Sequence, residues 1–129
     1  MTLKLSELQE YLKDMADIFV NPATISRWEN KGLLGVVPMV KGGQMKDYET
    51  LKERMFVITV LRNYAGWREA KVRNLFKMPP QESKELIEKA IDTVEIKVMP
   101  RFKSMVAGQW EQIVRVVEEN ANVPEVSKE

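Results

Sequence analysis

One short helix in this chain has both of its ends written into the sequence: Asn21-Pro22-Ala23-Thr24-Ile25-Ser26-Arg27-Trp28-Glu29-Asn30-Lys31-Gly32-Leu33-Leu34. Asn21 predicts the N-cap, because its side-chain oxygen can accept from the unpaired amides of the first turn. Pro22 then falls at the first helical position, where a missing N–H costs nothing. Gly32 suits the left-handed residue that closes a helix, and Leu33 is placed for the hydrophobic contact just beyond it. Between the caps, Ile25 and Trp28 share one face, while Thr24, Arg27, Asn30 and Lys31 point mostly elsewhere. Such a segment is either a capped surface helix or the helix that a helix-turn-helix lays in the major groove.

The next residues favour the second alternative. Val36, Val37, Met39 and Val40 predict a strand, and Gln44 to Tyr48 predict its partner. Gly42-Gly43 between them suits a two-residue turn with positive φ at both central positions. Pro38 lacks an N–H and places the first strand at a sheet edge. Lys41 and Lys46 bracket the tip. A helix with polar groups followed by a basic-tipped hairpin predicts a winged helix-turn-helix.

Residues 3–77 resemble the DNA-binding domain of MerR-type transcription regulators. The resemblance rests on Thr24-Ile25-Ser26-Arg27-Trp28-Glu29 with Gly32-Leu33-Leu34, on Lys46-Asp47-Tyr48 in the wing, and on Ala65-Gly66-Trp67-Arg68 with Val72 and Leu75-Phe76. Ser26-Arg27-Trp28 also resembles phage and plasmid excisionases, smaller relatives built on the same winged domain. Several positions depart from the family pattern. The stretch from Glu7 to Thr24 is longer than usual, the turn within it lacks the family's Gly, and Ser26 and Arg27 stand where the family has Arg and Tyr. Gln44-Met45 replaces the Gly-Tyr before the wing's basic residue. A base preference does not transfer across such changes.

The resemblance implies a bacterial, phage or plasmid protein that binds double-stranded DNA as a homodimer. Arg27 and Asn30 are the expected base contacts, since Arg pairs with guanine and Asn with adenine through two hydrogen bonds. Thr24, Ser26, Lys31, Lys41, Lys46 and Arg68 are the expected backbone contacts.

Charge placement agrees with this reading. The 129 residues sum to +1, but residues 27–77 hold eleven basic and five acidic residues, against two and four in residues 1–26 and seven and ten in residues 78–129. A basic middle between acidic ends is the footprint of a nucleic-acid module with a non-DNA extension. Cysteine and histidine are both absent. Disulfides and thiolate metal sites are thereby excluded, and most nucleophile and general-base arrangements with them. No enzyme, cofactor or metal is expected. There is no apolar run of about eighteen residues and no signal-peptide pattern, so no membrane partner and a cytoplasmic location are expected.

The remaining elements follow from helical spacing. Ser6-Glu7-Leu8-Gln9 reads as a capping box, with Leu8, Tyr11, Leu12, Met15 and Ile18 as the buried face behind it. A third helix is predicted over 50–64 with Leu51, Met55, Ile58 and Leu61 inward, and a fourth over 67–76 beyond Gly66. Arg68, Lys71 and Arg73 line the start of that fourth helix, as a phosphate grip or as a solvated face. Met78-Pro79-Pro80 marks a boundary. Beyond it, Ile87, Ile91, Val94 and Val98 predict a helix over 81–98, and Pro100 predicts a break near Met99.

The stripe then resumes with Phe102, Met105, Val106, Trp110, Ile113 and Val117, and Asn122 and Pro124 stop it. It is too apolar for a lone surface helix. It packs either on another chain, as the helix at this place does in MerR-type proteins, or within its own chain. The first alternative makes Phe102, Val106, Trp110, Ile113 and Val117 a dimerisation surface. Whether there is a small-molecule effector is left open: Trp67, Phe76 and Trp110 are conceivable sensing residues, although aromatics at helical spacing are far more often core.

The expected fold is therefore mainly α: a winged helix-turn-helix with a small β-hairpin wing over residues 1–77, a helical dimerisation extension over 78–122, and a disordered tail over 123–129. The expected function is transcription regulation. The alternatives are an architectural DNA-binding role, excisionase-like or in plasmid or phage segregation, and a protein–protein adaptor that has lost DNA binding.

Overall fold

In a computed structural model, residues 2–40, 43 and 45–127 are described, with side chains through Arg115. Six helices account for most of this chain: α1 (Leu5–Ala16), α2 (Pro22–Asn30), α3 (Lys52–Asn63), α4 (Glu69–Lys77), α5 (Pro80–Ile91) and α6 (Met99–Ser127), with a 3-10 turn at Glu49–Leu51.

The central element is α3. Every residue from Arg54 to Leu61 is buried, on all sides of the helix. A helix apolar all round must be enclosed by neighbours, and here α1, α4 and α6 supply them. Its one buried hydroxyl, Thr59, donates back to the Met55 carbonyl at 2.7 Å.

The start of α1 differs from the expected Ser6–Gln9 box. The N-cap is Lys4, whose amide donates to Glu7 Oε1 at 2.9 Å. Gln9 is thereby free for a long-range bond, donating from Nε2 to the Val20 carbonyl at 2.9 Å and fixing the approach to α2. Asp17, at φ 58°, closes α1 in the left-handed region that Gly most often fills. Asp tolerates that conformation better than most residues. The last carbonyls of α1 are satisfied from elsewhere: Tyr64 donates to Ala16, and Arg101 of α6 donates to Asp14 and Met15.

The expected β-hairpin shrinks to one antiparallel bridge, Met39 with Lys46, and no strand forms among the described residues. Val40 N–H to Met45 C=O at 2.7 Å and Asp47 N–H to Pro38 C=O at 2.8 Å are its hydrogen bonds. Pro38 withholds a donor, and among the described residues no third strand flanks the pair, so the ladder has nothing there to propagate against. The turn is tied instead to the N-terminus: the Tyr48 amide donates to the Leu3 carbonyl and the Leu3 amide to Asp47 Oδ1, both at 2.9 Å.

The C-terminal third is where the structure most changes the picture. Phe102, Val106, Trp110 and Ile113, expected at a dimer interface, are buried against their own chain, none more than 4% exposed. The Phe102 ring meets Phe56 of α3 edge to face, at 5.8 Å between centroids. Trp110 stacks on Phe76 of α4 at 5.6 Å and donates its indole N–H to Ser83 Oγ of α5 at 2.8 Å. The stripe needed a cover, and the faces of α3, α4 and α5 offered one at no cost in translational entropy, which a second chain would have to surrender. Residues on both sides of the expected 77/78 boundary accordingly belong to one apolar core. The Val117 side chain lies outside the described residues.

Two boundaries also move. Instead of reaching residue 98, α5 stops at Ile91, before Thr93, Val94, Ile96 and Val98, where β-branched side chains disfavour a helix. Val98 keeps its buried position from a turn leading into α6. Pro100 sits in the first turn of α6, where it is tolerated. Past Asn122 and Pro124, α6 runs to Ser127, so most of the expected tail at 123–129 is helix. Extending an existing helix fixes one residue per bond, whereas starting one fixes several.

Candidate nucleic-acid interface

The local signals around α2 fold as read. Asn21 caps the helix, its Oδ1 accepting from the Thr24 amide at 2.8 Å, with Pro22 at the first helical position. At the other end Gly32 has φ 76°, its amide donates to Glu29 C=O, and the Leu33 amide reaches back to Trp28 C=O at 3.0 Å. This pair of bonds is the Schellman closure, completed by burial of Leu33. Ile25 and Trp28 anchor α2 in the core at 1% and 2% exposure. The opposite face leaves Ser26, Arg27, Asn30 and Lys31 exposed and Thr24 half-buried.

Long-range contacts then fix what surrounds that face. Glu29 lies at the centre: Oε2 takes Lys46 Nζ at 2.7 Å and Oε1 accepts from the Tyr48 hydroxyl at 3.0 Å. One carboxylate thus clamps the 36–48 turn to α2. Burial, reinforced by the Glu29 charge and hydrogen bond, pushes the Tyr48 hydroxyl well above its ordinary pKa, so it remains a donor at any physiological pH. On the other flank, Arg27 Nε pairs with Glu69 Oε2 at 2.9 Å, and Arg73 Nη1 donates to the Lys31 carbonyl at 3.1 Å. These two contacts tie α4 to the second half of α2.

The expected contact residues therefore divide into three groups. Ser26, Arg27, Asn30 and Lys31 share one exposed helix face, with Thr24 at its edge. Lys46 is held beside that face by Glu29. Arg68 is exposed at the N-cap of α4, the helix joined to Arg27 through Glu69. Lys41 lies outside the described residues. Nearby, Lys71 sits over the Trp67 ring at 4.2 Å, which holds its ammonium at the surface.

Sequence reasoning missed Glu29, Glu69 and Arg73 as organisers of this face. The partners of the two carboxylates stand 17 and 19 positions from Glu29 and 42 from Glu69, and no periodicity signals such pairs.

The Arg27–Glu69 pair does not disqualify Arg27 as a reader of bases. Arg27 is 58% exposed, and an exposed pair contributes only about 0–1 kcal/mol. A bidentate Arg–guanine contact is worth about 1–3 kcal/mol. The pair with Glu69 is therefore weak enough for Arg27 to exchange it for a stronger, bidentate partner. Lys46 is constrained more tightly, between a short ion pair and the turn backbone. Replacing Lys46 by Ala is expected to flatten the salt dependence of DNA binding by about one unit of logarithmic slope. An unchanged slope would leave Lys46 only its bond to Glu29.

Comparison of the chain with family models, with curated proteins and with solved structures gives no match. Among the described residues no helix is long and apolar enough to cross a membrane.

Proposed function

We propose that this protein binds double-stranded DNA sequence-specifically through α2 and acts as a MerR-like transcription regulator. The observation that carries the reading is α2 itself. It is anchored by Ile25 and Trp28, closed at both ends, and it presents Ser26, Arg27, Asn30 and Lys31 outward between two flanking basic elements. Arg27 and Asn30 meet base edges, while Thr24, Ser26, Lys31, Lys41, Lys46 and Arg68 hold phosphates. The role is binding rather than catalysis, in keeping with a chain that has no histidine or cysteine.

The burial of the α6 stripe supports a second reading. A regulator gripping a palindrome needs two recognition helices about 34 Å apart. With Phe102, Val106, Trp110 and Ile113 used inside the chain, a homodimer must pair through another surface. A monomer that assembles only along DNA fits an architectural role, excisionase-like or in segregation. Footprint length separates the two: a single palindromic site marks a regulator, and a long protected tract marks an architectural protein.

Arg27→Ala tests the shared premise. Binding to the preferred site is expected to fall by about 1–3 kcal/mol, while weak binding to random duplex persists. Equal losses on both duplexes would make Arg27 a phosphate contact and remove the basis for base reading by α2.

A further inference from the structure

We propose that the cleft between the C-terminal turn of α2, α4 and the middle of α6 is a binding site for an organic oxyanion, a carboxylate or phosphate carried on an apolar body. The inference stands independently of base reading by α2. It begins with Arg54, which is only 4% exposed although it is a cation on the central helix. Its Nε donates to the Leu33 carbonyl at 2.6 Å, and its guanidinium carbon lies 3.7 Å from the centre of the Phe76 ring. Among the described residues no carboxylate pairs with it. Burial alone acts on the group, pushing it down to about 9, so it stays cationic at neutral pH. A buried cation without a counter-charge is an unusual arrangement, because an isolated charge is costly to bury.

The unpaired end of Arg54 faces space. A guanidinium has five N–H donors, and Nε accounts for one of them. The two Nη nitrogens have no partner among the described residues and belong to a residue that lines a cleft of about 590 Å³. Arg73 and Lys77 line the same cleft, as do Gly32, Phe76 and Val114. Among the described residues, therefore, three cations and no acid line a concavity with an apolar wall.

The planar fork of Arg matches the paired oxygens of a carboxylate or phosphate. The cleft is within the range that accommodates a small organic molecule and is larger than a bare phosphate needs. Occupancy would also be sensed by α2, because Arg54 and Arg73 donate to the carbonyls of Leu33 and Lys31 in its closing turn.

The same chemistry could reach the cleft as a free small molecule or as a backbone phosphate of DNA, and one experiment distinguishes them. The full-length protein is titrated with phenyl phosphate, and separately with a random DNA duplex, against chloride at matched ionic strength. The readouts are the amide resonances of Gly32 and Gly35 and the indole resonance of Trp110, whose ring stacks on Phe76. Phenyl phosphate is expected to shift these signals saturably where chloride does not. The double substitution R73Q/K77Q removes the Arg73 bond to Lys31 but no residue of the apolar core, keeps the Arg27–Glu69 tie between α2 and α4, and is expected to weaken binding roughly tenfold or more.

R54M is expected to abolish the response. Should R54M fail to fold, the R73Q/K77Q protein carries the test alone. Duplex that displaces phenyl phosphate and shifts the same amides identifies a backbone phosphate as the occupant. Duplex that leaves phenyl phosphate in place identifies a free ligand. Absence of a saturable response to both probes, or an undiminished response in R73Q/K77Q, overturns the site.

Discussion

Truncation after Met78 is expected to unfold the protein, not to release a monomeric DNA-binding domain. The fragment 1–78 would keep α1 to α4 but lose the cover over α3 and α4. Phe56 would lose the ring of Phe102, and Phe76 would lose Trp110. Each large apolar side chain returned to water costs about 1.5–3 kcal/mol. The face left behind includes several such groups, and a domain's whole stability is only about 5–15 kcal/mol. Removal of α6 also leaves the Asp14 and Met15 carbonyls without Arg101. The expected result is a collapsed fragment with poor amide dispersion and no cooperative melt. A fragment 1–78 that melts cooperatively near the full chain's temperature would show that α6 is an appendage and would restore the expected 77/78 domain boundary.

Phe102→Ala is expected to cost about 3–5 kcal/mol of folding stability, the range for deleting a fully enclosed Phe. Phe102 is 0% exposed and lies against Phe56 at the centre of the core. The effect should be the same at low and high protein concentration, because the contact is made within one chain. If Phe102 instead sat between two chains, stability would rise with concentration by mass action, and the substitution would convert a dimer to a well-folded monomer. Denaturant melts at two concentrations, with sedimentation of both proteins, distinguish the cases. A concentration-dependent midpoint would mean that the stripe pairs between chains.

The parts of this fold that were legible in the sequence are those whose partners are close along the chain. Asn21 reaches only to Thr24, and the closure at Gly32 spans only Trp28 to Leu33, so residue identities alone specify where α2 begins and ends. The apolar spacing from Phe102 to Ile113 likewise marks a helix with one face to bury. The exposed side of α2, carrying Ser26, Arg27, Asn30 and Lys31, follows from the same spacing once Ile25 and Trp28 are assigned to the core.

Tertiary structure alone decided what those faces meet. A helical stripe is equally satisfied by its own chain or by another, because burial of apolar surface is non-directional; contact with α3, α4 and α5 settles the choice for α6. The 36–48 segment has strand-forming residues and a turn signal, yet a sheet depends on cross-strand partners, and among the described residues a single bridge forms. Glu29 and Glu69 look like ordinary surface acids until the fold brings Lys46, Tyr48 and Arg27 to them. Arg54 reads as a solvated cation on an amphipathic helix. It becomes a buried one only because α3 is enclosed on every side, a property of the packed molecule that no local pattern of residues encodes.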